Sequence, residues 1–250
     1  MNAKGRRIHA AFSLVELLAT VAIILILLSL LLPLTGLVRQ RAETARCLSN
    51  LRQVMAATNV YTSEHDGFYP SPWRWVWSDG SSGLWAEWAQ ANTIPDGTMW
   101  KGGYITTREV YLCSSFKRVY GLNPAFSHLT PYVGYSMNEF MASEENLGGS
   151  DWAGRPKLKR AQIEKPGALG VFGDEGTMPL PWGPVVINNL CLGVGDNRSP
   201  GNYCDALAAF HNMPGNDPTK GKGNVAFADG HAALSISQDS IAIFTPSQYK

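Results

Sequence analysis

Phe12 to Leu32 reads FSLVELLATVAIILILLSLLL, 21 residues that are apolar except for Ser13, Glu16, Thr20 and Ser29. At about 1.5 Å per residue a helix of this length rises about 30 Å, the hydrocarbon thickness of a bilayer. The run therefore predicts a membrane-inserted helix. Lys4, Arg6 and Arg7 stand ahead of it, with no acid among the first eleven residues, so the positive-inside tendency places the N-terminus in the cytoplasm and the rest of the chain outside. A general secretory signal peptide also joins a basic start to an apolar core. This run is longer than a usual signal core, however, and Leu32-Pro33-Leu34 leaves no small-x-small cleavage site.

Glu16 is discordant, because a carboxylate costs about 2–3 kcal/mol at the membrane centre and needs a partner or a purpose. Its surroundings suggest the purpose. Ala11-Phe12-Ser13-Leu14-Val15-Glu16, between a short basic leader and an apolar helix, resembles the cleavage and methylation signature of type IV pilins and type II secretion pseudopilins. The resemblance implies cleavage by a prepilin peptidase between Ala11 and Phe12, N-methylation of Phe12, and pairing of Glu16 with the new terminal amine of a neighbouring subunit. Such a pairing makes physical sense, since a charge buried among apolar helices is tolerated when an opposite charge neutralises it. The chain departs from the family in having Ala11 where glycine is usual.

Beyond Pro33, apolar or small residues recur at spacings of three and four: Leu34, Leu37, Val38, Ala42, Ala45, Leu48, Leu51, Met55 and Thr58. This is an amphipathic stripe, and it extends the helix to about Ser63, where His65-Asp66-Gly67 and Pro70 supply stop signals. Cys47-Leu48-Ser49-Asn50-Leu51-Arg52-Gln53, followed by Glu64-His65-Asp66-Gly67-Phe68-Tyr69-Pro70, is similar to a bacterial pseudopilin group named for a C-terminal H-x9-DG signature. Near the C-terminus, Asp229-Gly230 lies between two apolar-leaning segments and reads as a two-residue hairpin turn, pairing Phe227 with Ala232 and Val225 with Leu234. His211 matches the local context of the signature's histidine, yet 17 residues rather than nine separate it from Asp229. Asp174, in an acidic Gly173-Asp174-Glu175-Gly176 turn, joins His211, Asp229 and Gly230 as a candidate polar or cation-binding cluster, with a hydrogen-bonded structural role preferred.

The remaining signals are weaker. Cys47, Cys113, Cys191 and Cys204 form no C-x-x-C pair, and their spacings of 66, 78 and 13 match no common zinc template. They read as candidate disulfide formers: Cys191 with Cys204 would close a short loop, and Cys47 with Cys113 would pin the head to the helix. The connectivity stays open, four free thiols being the alternative. Trp73, Trp75 and Trp77 alternate, so a strand would line them on one face, to roof a core or to meet a sugar or another subunit. Asp196, Asn197, Asn202 and Asp205 offer the oxygen ligands that calcium prefers, without EF-hand spacing, and a turn-rich loop is the preferred account of them. Val110 to Cys113 and Tyr132 to Asn138 are strand candidates, and the stretch ending at Asn138 resembles the family's internal Tyr-x-x-Asn region.

The expected fold is α+β: a long N-terminal transmembrane or filament helix, then a C-terminal head built on a small, mostly antiparallel sheet. Residues 1–11 are the leader, 12–63 the helix (membrane-spanning over 12–32, amphipathic over 33–63) and 64–250 the periplasmic head. The resemblance implies a filament subunit that sits as a single-pass precursor in the bacterial inner membrane and assembles into a periplasmic or surface fibre. Its partners would be prepilin peptidase, like or related pilin subunits and the secretion or pilus machinery. Without the three leader cations the chain carries 18 basic against 20 acidic side chains, which gives no support to a nucleic-acid partner. No G-x-S-x-G or H-E-x-x-H motif suggests an enzyme, and no cofactor is expected beyond the calcium candidates. A membrane-anchored carbohydrate-binding protein using the Trp73–Trp100 region is the alternative.

Overall fold

The computed structural model describes residues 13–72, 74–76, 96–121, 133–141, 158–176, 191–192, 206–208, 211–212, 214, 221–236 and 240–244. The chain divides into two compact units, Met1–Arg41 and Ala42–Lys250.

Helix α1, Leu14–Glu64, has 51 residues and runs on through Pro33. Its start is capped by sequence-local chemistry. The Ser13 N–H donates to Glu16 Oε2 at 2.9 Å and the Glu16 N–H donates to Ser13 Oγ at 3.2 Å, a reciprocal capping box. The Ser13 N–H, and then the Ser13 hydroxyl, hold the Glu16 carboxyl below its ordinary pKa. In the first unit the large apolar side chains lie open to solvent, from 47% exposed at Val21 to 77% at Leu14. The expected transmembrane helix over 12–32 is corrected: among the described residues no helix is long and apolar enough to cross a membrane.

In the second unit α1 buries Thr44, Cys47, Asn50, Leu51, Val54, Met55, Thr58 and Thr62. The expected stripe is buried at Leu51, Met55 and Thr58, whereas Ala42 and Ala45 are exposed and Thr44 and Cys47 face inward instead, and Leu37 and Val38 are exposed in the first unit. The expected face was chosen by hydrophobicity; the observed one also carries polar side chains that have partners beneath it. The helix ends as its sequence indicates. Asp66 and Gly67 adopt φ of 52° and 81°, and the Gly67 N–H reaches back to Thr62 O at 2.8 Å.

Short helices follow: α2, Thr98–Lys101; α3, Ser114–Gly121; and α4, Ser240–Phe244. Val110 and Tyr111 lie in a 3-10 turn, Arg108–Tyr111, not in the expected strand, because Asn50 Nδ2 of α1 bonds the carbonyls of Glu109 and Leu112 and holds the segment coiled against the helix. The sheet has six strands: β1, Tyr135–Asn138; β2, Gly170–Gly176; β3, Cys191–Leu192; β4, Ala206–Leu207; β5, Gly223–Phe227; and β6, Ala232–Ser235. Its order is β3-β1-β2-β5-β6, with β4 pairing β2 beside this path. β1 and β3 run parallel and the other pairs antiparallel. The acidic turn expected at 173–176 is instead the continuation of β2, whose Gly173 and Asp174 pair with Ser136 and Tyr135.

The hairpin also differs by one residue. Val225 pairs with Ala233 and Ala226 with Ala232, and the Gly230 N–H donates to Phe227 O at 2.9 Å. Only Gly230 takes a positive φ, 102°, so the loop is a turn closed by one left-handed glycine rather than a two-residue turn that needs two. Alternation along β5 then sends Val225 and Phe227 to a small cluster with Leu207 and Phe244, and Ala226 to the main core with Cys47, Leu51, Trp75, Tyr135 and Phe172. Trp75 lies in a bend and is wholly buried, against Tyr111 and Phe172 at ring-centre distances of 5.5 and 4.9 Å. The expected strand of alternating indoles is therefore corrected at Trp75, while Trp73 and Trp77 lie outside the described residues.

Candidate functional site

Under α1, side chains from five places in the sequence meet. Cys47 and Thr44 come from α1, and Cys113 and Ser115 from the start of α3. Asp174 comes from β2, His211 from an isolated bridge to Lys222, and Asn224 from β5. Cys47, Cys113, Asp174 and Asn224 are 0% exposed and His211 is 1% exposed. The backbone pairing of His211 with Lys222, at 2.9 and 2.7 Å in the two directions, brings the histidine to the foot of β5 whatever the number of residues between them.

His211 is the hub. Nε2 lies 3.0 Å from Asp174 Oδ2, 2.6 Å from Asn224 Nδ2 and 3.4 Å from Cys113 Sγ. Nδ1 faces the hydroxyls of Thr44 at 3.0 Å and Ser115 at 3.2 Å. Burial works against a charged imidazole, but the Asp174 carboxylate, with the Cys47 sulfur, pushes its pKa up to about 9. Asp174 Oδ2 also accepts the Asn224 N–H at 2.7 Å, while Asp174 Oδ1 and Asn224 Oδ1 are buried with no hydrogen-bond partner among the described residues.

Cys47 and Cys113 are free thiols with their sulfurs 3.1 Å apart. The bond to Cys113 and the nearby imidazole hold Cys47 well below its ordinary pKa despite burial, whereas burial, then that bond, pushes Cys113 up. The two groups thus share a single negative charge more readily than they carry two. The Phe116 N–H donates to Cys113 Sγ at 3.4 Å from the first turn of α3. Gly134 makes room for this backbone: a Cβ there would stand 2.6 Å from Cys113 N.

Of the residues singled out in the sequence, the structure joins Asp174 to His211 and Cys47 to Cys113, the two cysteines as free thiols and not as a disulfide. It does not bring in Asp229, which stands on the hairpin turn bonded to His231 Nδ1 at 2.6 Å, or Gly230, which shapes that turn. Ala11, Phe12, Cys204 and the calcium candidates Asp196, Asn197, Asn202 and Asp205 lie outside the described residues, and Cys191 pairs through its backbone in β3. Thr44, Ser115 and Asn224 had no local signal of their role. Their only shared property is a contact with His211, which no spacing encodes. The cluster is buried, and its groups suit a hydrogen-bonded structural network, a cross-link or a bound cation. No protein-family model, curated protein or solved structure matches this chain significantly.

Proposed function

We propose that the chain is a pseudopilin-like filament subunit, processed by a prepilin peptidase between Ala11 and Phe12 and assembled through its N-terminal helix into a periplasmic or surface fibre. One observation carries this reading. Leu14, Val15, Leu17, Leu18, Ile24 and their neighbours form a continuous apolar surface on α1 that is left uncovered within the first unit. A contiguous apolar surface of this kind is a binding surface, and helices of the same type bundle on it through small residues such as Ala19 and Ala22. Glu16 is the one charge at its start and is suited to setting axial register against a neighbour's terminal amine.

The capping box gives Glu16 another, purely local role, and the two roles can be separated. Glu16→Gln keeps the hydrogen bond to the Ser13 N–H and removes the charge; Glu16→Ala removes both. Filament incorporation should fail in both variants if charge sets the register. Assembly restored by Gln would leave only the cap and would overturn the register role. N-terminal analysis of native protein provides a further check: loss of residues 1–11 with a methyl group on Phe12 is expected, and an intact Met1 counts against the whole reading. The carbohydrate-binding alternative loses Trp75, which is buried and unavailable to a sugar.

A further inference from the structure

We propose that Cys47, Cys113 and His211 form a binding site for one thiophilic divalent cation of the zinc type, with Asp174 as the fourth ligand. The ligand atoms of the two cysteines and the histidine all lie within 4.8 Å of one another, and all three residues are buried. Two thiolates, an imidazole nitrogen and a carboxylate are the donor set that zinc takes in four-coordinate sites.

Three distances show how little the cluster must move to admit a cation. Tetrahedral zinc with the usual bond lengths sets sulfur–sulfur separations of about 3.8 Å, sulfur–nitrogen of about 3.6 Å and oxygen–nitrogen of about 3.3 Å. Here Cys47 and Cys113 are 3.1 Å apart, Cys113 Sγ and His211 Nε2 3.4 Å, and Asp174 Oδ2 and His211 Nε2 3.0 Å. Each pair needs to open by less than about 1 Å to admit the ion. A disulfide asks for the opposite movement, closure of the sulfurs from 3.1 Å to about 2.05 Å, a larger shift than the opening.

The groups around these ligands are placed to orient them. A ligating histidine donates its other ring N–H to an oxygen, and His211 Nδ1 has Thr44 Oγ1 and Ser115 Oγ within reach. The Phe116 N–H already points at the Cys113 sulfur, as suits a thiolate. Asn224 Nδ2 sits 2.6 Å from Nε2, on the side the ion would occupy, and Asn224 Oδ1 has no hydrogen-bond partner among the described residues to resist rotation of that amide. Asp174 Oδ1, buried with no hydrogen-bond partner among the described residues, leaves the polar cluster incomplete. Binding displaces the Cys113 thiol proton and the Nε2 proton of His211, so the ion replaces protons in the buried site. This inference stands apart from the filament reading.

The test uses the full chain, prepared under reducing conditions and titrated with Co2+ and then Zn2+. One equivalent of Co2+ should give the strong visible bands of a tetrahedral site with thiolate-to-metal charge transfer in the near ultraviolet, and Zn2+ should displace it. Cys113→Ser and His211→Ala should each weaken Co2+ binding at least tenfold. Should these variants fold poorly, Asp174→Asn, which preserves shape, should shift the visible bands. Elemental analysis of chain purified without added metal or reductant supplies the independent measurement. About one metal per chain, with Cys47 and Cys113 both alkylatable after denaturation, supports the site; a Cys47–Cys113 cross-linked peptide with no metal overturns it, as does a Co2+ spectrum unchanged by loss of both cysteines.

Discussion

Asn138 shows how one side chain can organise a fold. It is wholly buried, and its Nδ2 donates to Gly170 O at 2.7 Å and Phe244 O at 2.8 Å while its Oδ1 accepts the Phe140 N–H at 3.0 Å. Asn138→Leu would leave three backbone groups without these partners in the interior, each costing about 1–3 kcal/mol. A loss of about 3 kcal/mol or more in chemical denaturation is expected, and a loss below about 1 kcal/mol would show that water replaces the amide. Asp229 makes a contrasting case. Partial burial would raise its pKa, but the backbone N–H and ring of His231 outweigh that and lower it. Its contribution to stability is therefore present above its unfolded value near 4 and is lost as pH falls through the lower folded value. Asp229→Asn should lower the melting temperature slightly near pH 7, by little because the pair is half-exposed, and converge with the wild type below about pH 4, so that the acid limb of its profile is flatter. The turn at Asp66-Gly67 and the left-handed Gly230 were legible at this scale, since a left-handed backbone asks for glycine or a short polar residue locally.

Among elements, the contact between α1 and the segment before α3 decides the site. Asn50 holds Glu109 and Leu112 through their carbonyls, one turn along from Cys47, and Gly134 lets β1 approach Cys113. Gly134→Ala must push Cys113 away, so it should destabilise the fold by about 1–3 kcal/mol, read by denaturation, and weaken Co2+ binding although no ligand is replaced. The elements themselves were partly legible. The continuation of α1 and the strand at Tyr135–Asn138 follow from local pattern. The burial face of α1 and the hairpin register do not, because Thr44 and Asn50 are polar and Val225 and Ala226 are both apolar. Each is assigned its direction by what lies opposite: a hydrogen-bonding partner for the first two, and core on both sides of the sheet for the others.

At the scale of the whole molecule, the two units have different needs. The second contains the core clusters, from Cys47 to Phe244, and its burial is internal. The first holds side chains such as Leu17, 60% exposed, and Ile24, 54% exposed, whose apolar area has no cover within it. Replacing Leu17 and Ile24 together by serine should leave thermal unfolding of the second unit unchanged and abolish self-association in light scattering. Retained association would locate the contact elsewhere. The sequence by itself determined a helix from an apolar run into a periodic one, its stop at Asp66-Gly67, the glycine turn at Gly230 and the apolar surface that asks for partners, because each depends on residues within a few positions of one another. Only the tertiary structure decided that Cys47, Cys113, Asp174, His211 and Asn224 share one buried site. These residues are scattered along most of the second unit and brought together by a helix, a sheet and a backbone bridge, and no local period records a contact that exists only after the chain has closed around it.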